Sequence, residues 1–169
     1  MKVYLATDHA GFELKEKVKH FLSKEEYEVE DCGAYAYDKD DDYPDFISKA
    51  AEAVSKDPTS KGIIFGSSGQ GEAVVANKFK NIRAVVFYTP CIPSHNVDVT
   101  GRVSTDPFEM IRLTREHNDA NVLSLGAKIL NEEDAIKAVR LWLEAPFTNE
   151  PRHLRRIEKI KRVEDNLHG

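Results

Sequence analysis

The hydrophobic and polar positions of this chain alternate between two spacings, one typical of strands and the other of helices. Short runs of β-branched and large apolar residues predict five strands, at 2–6, 27–32, 62–65, 83–88 and 122–125. Apolar residues that recur every three or four positions predict helices over 12–22, 44–56, 71–80, 132–143 and 151–167. Strands that alternate with helices indicate a parallel sheet covered on both faces. We therefore predict a doubly wound, Rossmann-like α/β fold with five parallel strands and an extra C-terminal helix.

Length and composition narrow the class of protein. A chain of 169 residues predicts a single domain over 1–169. The formal net charge of −5 disfavours general binding to nucleic acid or to an anionic membrane. The longest apolar run, at 84–88, is far shorter than the ~20 residues of a membrane helix, and the N-terminal apolar stretch is too brief for a signal peptide. The two cysteines have no metal-ligand spacing. We expect a soluble, cytoplasmic protein without a bound metal or disulfide.

Unusual residues follow three of the predicted strands. Thr7-Asp8-His9 follows the first strand, a Gly/Ser loop over 66–71 follows the third, and a long connection follows the fourth at Tyr88. Doubly wound sheets bind ligands beyond the carboxyl ends of their strands. The sequence therefore predicts a functional site at this edge.

The glycine loop reads GSSGQGEAVVANK, from Gly66 to Lys78. Its outline matches a nucleotide P-loop, but Glu72 stands where that motif needs lysine, and Val74 departs from the dinucleotide fingerprint. Backbone N–H groups at a helix N-terminus can still hold an anion. Glu72 in the first turn suits a carboxylate base beside a transient oxyanion. The alternative is an acidic residue that only complements the helix dipole, and the loop by itself leaves both open.

The C-terminal helix carries positive charge. Six Lys or Arg residues and one acidic residue lie between Pro151 and Val163. Arg152 and Arg156 share a helix face, with His153 beside them, and two guanidinium groups so placed suit a phosphate. A solvated basic face is the simpler alternative. RNA binding is disfavoured because no aromatic residue lies between the arginines.

Five motifs together resemble the ribose-5-phosphate isomerase B family, which also holds the galactose-6-phosphate isomerase subunits. They are ATDHAGF (6–12), YPDF (43–46), GSSGQGEAVVANK (66–78), REHNDANVLSLGAK (115–128) and PRHLRRIEKI (151–160). They occur in the family's order and span nearly the whole chain. The resemblance implies an enzyme that interconverts an aldose phosphate and its ketose through a cis-enediolate, without metal or cofactor.

The resemblance also implies roles for individual residues. Glu72 matches the base of the branch that uses glutamate, and Gly66 stands where the other branch has a cysteine. Ser68 matches the hydroxyl that moves a proton between O1 and O2, His117 the residue that opens the sugar ring, and Asp8 the carboxylate that holds the sugar oxygens. The remaining matches, on the substrate-binding side, are His9, Tyr43, Gly66, Ser67, Gly69, Gln70, Gly71, Asn118, Lys128, Arg152, His153 and Arg156.

In the family, a homodimer shares each active site between its subunits, some members form tetramers, and the C-terminal helix, here 150–167, contacts the partner. One departure from the family pattern is the connection 90–107, which is longer than usual and leaves from the ligand edge. We expect it to cover or reshape the site.

The resemblance makes ribose 5-phosphate the expected substrate. The long connection keeps hexose 6-phosphates of the allose or galactose type as the alternative. A phosphosugar-binding regulatory module without catalysis is the rival from another class, and a flavodoxin-like FMN carrier is a more distant one.

Overall fold

The computed structural model describes residues 1–168, with side chains through Asn166. Five strands form one parallel sheet in the order β2-β1-β3-β5-β4. The strands are β1 (Lys2–Thr7), β2 (Glu28–Asp31), β3 (Lys61–Gly66), β4 (Ala84–Phe87) and β5 (Val122–Gly126). The α-helices of the described part are α1 (Phe12–Lys24), α2 (Pro44–Lys56), α3 (Gln70–Ala76), α4 (Glu109–Asn118), α5 (Glu132–Glu144) and α6 (Pro151–His168). The predicted fold class is confirmed, while Gly169 lies outside the described residues.

Side chains of the strands point alternately to two cores. Val3 and Leu5 of β1 pack in a core with α1, α4 and α5, whereas Tyr4 and Ala6 pack in a second core with α2 and α3. The period of two follows from the pleat of the strand. The helices therefore cover both faces of the sheet, as the alternating pattern predicts.

The chain changes direction across the sheet beside β1. From β1 it moves outward to β2, whereas β3 lies on the other side of β1. A crevice opens at such a point beyond the carboxyl ends of the two strands, because their following loops diverge. Asp8 follows β1 and Ser67 follows β3, so both loops begin at this crevice.

Two helices differ from the prediction. The helix predicted over 71–80 ends at Ala76, because the side-chain amide of Asn77 exchanges two hydrogen bonds with the backbone of Ala84 and turns the chain into β4. For helix α4, the hydrophobic pattern predicts no bounds. Its ten residues EMIRLTREHN place few apolar residues among many charges, and two of the four buried residues, Glu109 and Arg115, are themselves charged.

The long connection 90–107 contains no helix or strand and packs along α4. Arg102 forms ion pairs with Glu109 and Glu116 of α4, at 2.5 and 2.6 Å. Asp98 lies 3.5 Å from Arg152. Among the described residues, the hydrogen bonds and ion pairs of 91–107 do not reach the glycine loop or Asp8. The expectation that this connection covers or reshapes the site stays a prediction: Asp98 meets Arg152, one of the predicted phosphate-binding residues, while the ion pairs of Arg102 hold the connection along α4.

Candidate active site

Asp8 is fixed at the end of β1 by a short 3₁₀ turn, His9–Gly11. Its Oδ1 accepts a hydrogen bond of 2.9 Å from the backbone N–H of Ala10, as an N-cap residue does. The residue is buried. A carboxylate is thus held at the crevice between β1 and β3, where the sequence predicts a sugar-binding group.

Asp41 holds His9 in place. The sequence patterns do not predict this role for Asp41. The Oδ1 atom of Asp41 accepts from the backbone N–H of His9 at 2.9 Å and lies 2.7 Å from its ring Nδ1. This hydrogen bond is the largest influence raising the pKa of His9 above its ordinary value. The ring also meets Tyr37 edge-on, with centroids 6.2 Å apart.

Glu72 lies in the first turn of α3 with only 4% of its surface exposed. Its carboxylate rests against the backbone of Gly66, since a Cβ built on Gly66 would stand 1.8 Å from Glu72 Oε1. Burial is the main cause that raises the pKa of Glu72, and the negative charge of Asp8 adds to it. The site therefore holds a buried carboxylate whose pKa has moved toward the range useful to a base at neutral pH.

The glycine loop that precedes Glu72 is supported by β5 and the turn after it. Ser124 Oγ donates to the carbonyl of Gly69 at 2.6 Å, and the N–H of Lys128 donates to the carbonyl of Ser67 at 3.1 Å. Tyr43 covers the other side, because a Cβ on Gly71 would stand 2.7 Å from its hydroxyl. Backbone N–H groups held this way suit an oxyanion, since they need no reorganisation.

These groups form what we call the carboxyl-edge cluster. Its members are Asp8, His9, Tyr43, Gly66, Ser67, Ser68, Gly69, Gln70, Gly71, Glu72 and Lys128. A cavity of about 140 Å³ adjoins it, with His9, Tyr37 and Lys128 among its lining residues. The structure thus brings together most of the predicted site.

The remaining predicted residues form a second group, the amino-edge cluster: His117, Asn118, Arg152, His153 and Arg156. His117 and His153 have ring centroids 4.2 Å apart, and the Nδ1 of His153 lies 3.1 Å from the carbonyl of His117. Burial lowers the pKa of His117, and the neighbouring His153 lowers it further. Arg152 has its Nε 2.8 Å from Glu150, while Arg156 is exposed one turn along α6.

The two clusters lie at opposite edges of the sheet. Asn118 ends α4, and its carbonyl accepts a hydrogen bond of 2.9 Å from Arg83, the residue just before β4. Glu72 instead follows the carboxyl end of β3. A strand of five residues spans about 16 Å. One copy of the chain therefore does not bring His117 or Arg152 to Glu72.

Among the described residues, one group has donor atoms close enough together for a metal ion. Atoms of Asp8, His9 and Asp41 lie within 4.8 Å of one another. The hydrogen bond between His9 Nδ1 and Asp41 Oδ1 accounts for this proximity without a metal ion.

The cysteines belong to neither cluster, and burial raises the pKa of Cys32 to about 11, which keeps its thiol neutral.

The sequence of the chain matches one known protein family. Residues 3–97 and 102–160 match the model of the family described as Ribose/Galactose Isomerase. The chain belongs to this family. The match is interrupted at 98–101, within the long connection along α4.

Relatives in the family resemble the chain over nearly its full length. The ribose-5-phosphate isomerase B of Mycolicibacterium paratuberculosis is 36% identical over 164 residues, 97% of this chain and 92% of the relative. The crystal structure of ribose-5-phosphate isomerase B from Mycoplasma genitalium, with bound ribulose-5-phosphate, has a TM-score of 0.84 at 32% identity and covers 97% of this chain and 96% of that one. The Clostridium thermocellum isomerase B gives 0.84 at 36% identity, with 99% of both chains covered. Over residues 1–168, no helix is both long and apolar enough to cross a membrane.

Proposed function

We propose that this chain is a ribose-5-phosphate isomerase that interconverts ribose 5-phosphate and ribulose 5-phosphate with Glu72 as its base. The observation that carries the proposal is the Glu72 carboxylate, buried against Gly66 beside the glycine loop with its pKa raised. The family and its named relatives support the same reaction. We extend the proposal to a single cytoplasmic domain, as length and composition predict.

The proposed reaction moves protons within one sugar. The Glu72 carboxylate takes the proton from C2 of the open-chain aldose. The electrons of that C–H bond form the C1–C2 double bond of the enediolate, and the π electrons of the C1=O1 carbonyl move onto O1 as the negative charge. The glutamic acid then returns a proton to C1. Meanwhile the proton on O2 passes to O1, so that O2 becomes the ketose carbonyl. Atoms and electrons balance inside the substrate, with no external oxidant or reductant.

The glycine loop and Ser68 serve the oxygens in this proposal. Backbone N–H groups over 67–71 stabilise the negative charge that develops on the enediolate. The hydroxyl of Ser68 carries the proton between O2 and O1, since a hydroxyl can accept and donate at once. Asp8 holds the sugar hydroxyls across the crevice.

The active form proposed here is a homodimer in which each chain completes the other's site. The separation of the two clusters within one chain supports it, because His117, needed for ring opening, and Arg152, needed for the phosphate, lie at the far edge from Glu72. A two-fold dimer that sets one chain's amino-edge cluster against its partner's carboxyl-edge cluster forms two equivalent sites. Exposed Leu154, Ile160 and Val163 on α6 suit that contact. Pairs of such dimers give the tetrameric alternative.

The sugar is tested by an isomerase assay of the purified chain with ribose, allose and galactose phosphates. We expect the highest kcat/KM with ribose 5-phosphate. A higher value with a hexose 6-phosphate would assign the chain to the hexose branch, for which the connection 90–107 is the structural reason. Binding of these sugars without turnover would make the chain a phosphosugar-binding module.

A further inference from the structure

Asp41 contacts His9 of the carboxyl-edge cluster, but the proposed reaction gives Asp41 no role. It lies in the acidic stretch 38–42, of which the other members are exposed, whereas only 9% of the Asp41 side chain is exposed. One oxygen, Oδ1, faces both the backbone N–H and the ring of His9. The other oxygen, Oδ2, is buried and has no hydrogen-bond partner among the described residues.

A carboxylate in this environment needs a positive neighbour. Burying an ionised oxygen without a hydrogen bond is costly, and a nearby cation offsets the cost. Among the described residues, His9 is the one potential cation within ion-pair distance of Asp41. The arrangement therefore favours the charged form of the His9 ring over the neutral form.

The hydrogen bond also decides what the second ring nitrogen can do. With Nδ1–H donating to Asp41, a neutral ring carries a lone pair on Nε2, which repels a phosphate oxygen. The charged ring carries Nε2–H instead and donates. Only the imidazolium can therefore bind the phosphate of the substrate through Nε2.

We propose that Asp41 is a positioning residue that orients His9 and keeps it a cation, so that Nε2–H binds the phosphate group of the sugar phosphate. The inference rests on the proposed function for its substrate. A carboxylate that orients a histidine from behind is a common arrangement at protein sites.

Other charged groups near His9 act in both directions. Asp8 also raises the pKa of His9. The adjoining cavity is lined by Glu13 and Lys17 of α1, by Lys128 after β5 and by Glu132 of α5. Lys17 is paired with Glu132 at 2.8 Å, so these two charges largely offset each other. Asp41 remains the charged group that shares a hydrogen bond with the ring.

The test compares Asp41→Asn with Asp40→Asn. Both variants remove one negative charge from the same stretch, but the Asp40 side chain is 79% exposed and does not contact His9. The first measurement is an NMR titration of the histidine rings, with the His9 signal assigned by its loss in His9→Gln. We expect the pKa of His9 to fall in Asp41→Asn and to stay at the wild-type value in Asp40→Asn.

The second measurement is the pH profile of KM for ribose 5-phosphate. In Asp41→Asn, KM should rise at a lower pH than in wild type and reach roughly ten times the wild-type value above neutral pH, with kcat nearly unchanged. The ionisation of the substrate phosphate is the same for all variants and cancels in the comparison. Asp41→Glu, which keeps the charge, should restore much of the wild-type profile.

An unchanged His9 pKa in Asp41→Asn, or a KM profile that coincides with that of Asp40→Asn, would overturn the proposal. Asp41→Ser is the second neutral variant, because it places no amide donor at the buried Oδ2 position if the asparagine variant folds poorly. The NMR titration needs no turnover. A chain without isomerase activity would thus contradict the proposed function, while the titration would still decide whether Asp41 charges His9.

Discussion

At the residue scale, Gly66 and Glu72 share one small space. Any side chain at position 66 would begin with a Cβ 1.8 Å from Glu72 Oε1, far inside a nonbonded contact. We expect Gly66→Ala to displace the carboxylate and to lower kcat roughly a hundredfold. Steady-state kinetics measure the loss. Gly62→Ala is the control in the same strand, since its Cβ would meet Val122 at 3.2 Å; equal activity of the two variants would contradict the account.

The burial of Glu72 also predicts a pH-dependent stability. Burial raises the pKa of Glu72 in the folded chain, so the folded chain holds the proton more tightly than the unfolded chain does. The ionised form of Glu72 therefore destabilises the folded chain. This destabilisation is absent below the ordinary glutamate pKa and develops as the pH rises through the raised pKa. Glu72→Gln should therefore increase the free energy of unfolding at neutral pH but not in acid. Urea unfolding across that pH range checks this, and a less stable variant at neutral pH would refute it.

The sequence predicts Glu72 but not Asp41, and the reason is physical. Glu72 directly follows a glycine loop, so its place at a helix start can be read from neighbouring residues. Asp41 stands among acidic residues of similar chemistry. Only its contact with His9, thirty-two positions earlier, distinguishes it from Asp40 and Asp42, and no local pattern encodes that contact.

At the scale of elements, the connection 90–107 depends on Arg102. This residue pairs with Glu109, whose side chain is only 5% exposed. Arg102→Ala leaves that carboxylate buried without its cation, and we expect the free energy of unfolding to fall by about 1.5–3 kcal/mol. Denaturant unfolding measures the change. Arg112→Ala, which breaks the more exposed pair with Asp106, should cost less than about 1 kcal/mol. If the two losses were equal, Arg102 would have no special role.

The spacing of hydrophobic residues is sufficient to predict the strands but not every helix and connection. The central strands are short apolar runs with polar ends, and all five were predicted within a few residues. Helix α4 and the course of 90–107 were not, because both depend on ion pairs such as Arg102–Glu116 that join charged residues fourteen positions apart. The order of charged residues along the sequence does not show which of them form ion pairs.

At the scale of the whole molecule, each proposed site consists of residues from two chains. Glu72→Gln and His117→Ala should each be nearly inactive as homodimers. Co-expressed in equal amounts, half of the dimers contain one chain of each kind, and one of their two sites is intact. We expect about a quarter of wild-type activity for the mixture.

A matched mixture provides the control for shared sites. Glu72→Gln and Ser68→Ala both alter the carboxyl-edge cluster, so every mixed dimer carries a defect in each site, and its activity should not recover. Recovery in this control, or its absence in the first mixture, would contradict the shared site. The family resemblance predicts the dimer, and the topology supports a shared site, because α4 returns His117 to the edge opposite Glu72.

Deuterium exchange measures directly whether Glu72 removes the proton from C2. Wild-type enzyme in D₂O should incorporate deuterium at C2 of ribose 5-phosphate, and Glu72→Gln should exchange 10²–10⁴-fold more slowly, within the range of general-base catalysis, while still binding the sugar. The double variant Cys32→Ser/Cys91→Ser should retain most of the exchange. Exchange by Glu72→Gln at the wild-type rate would contradict the account.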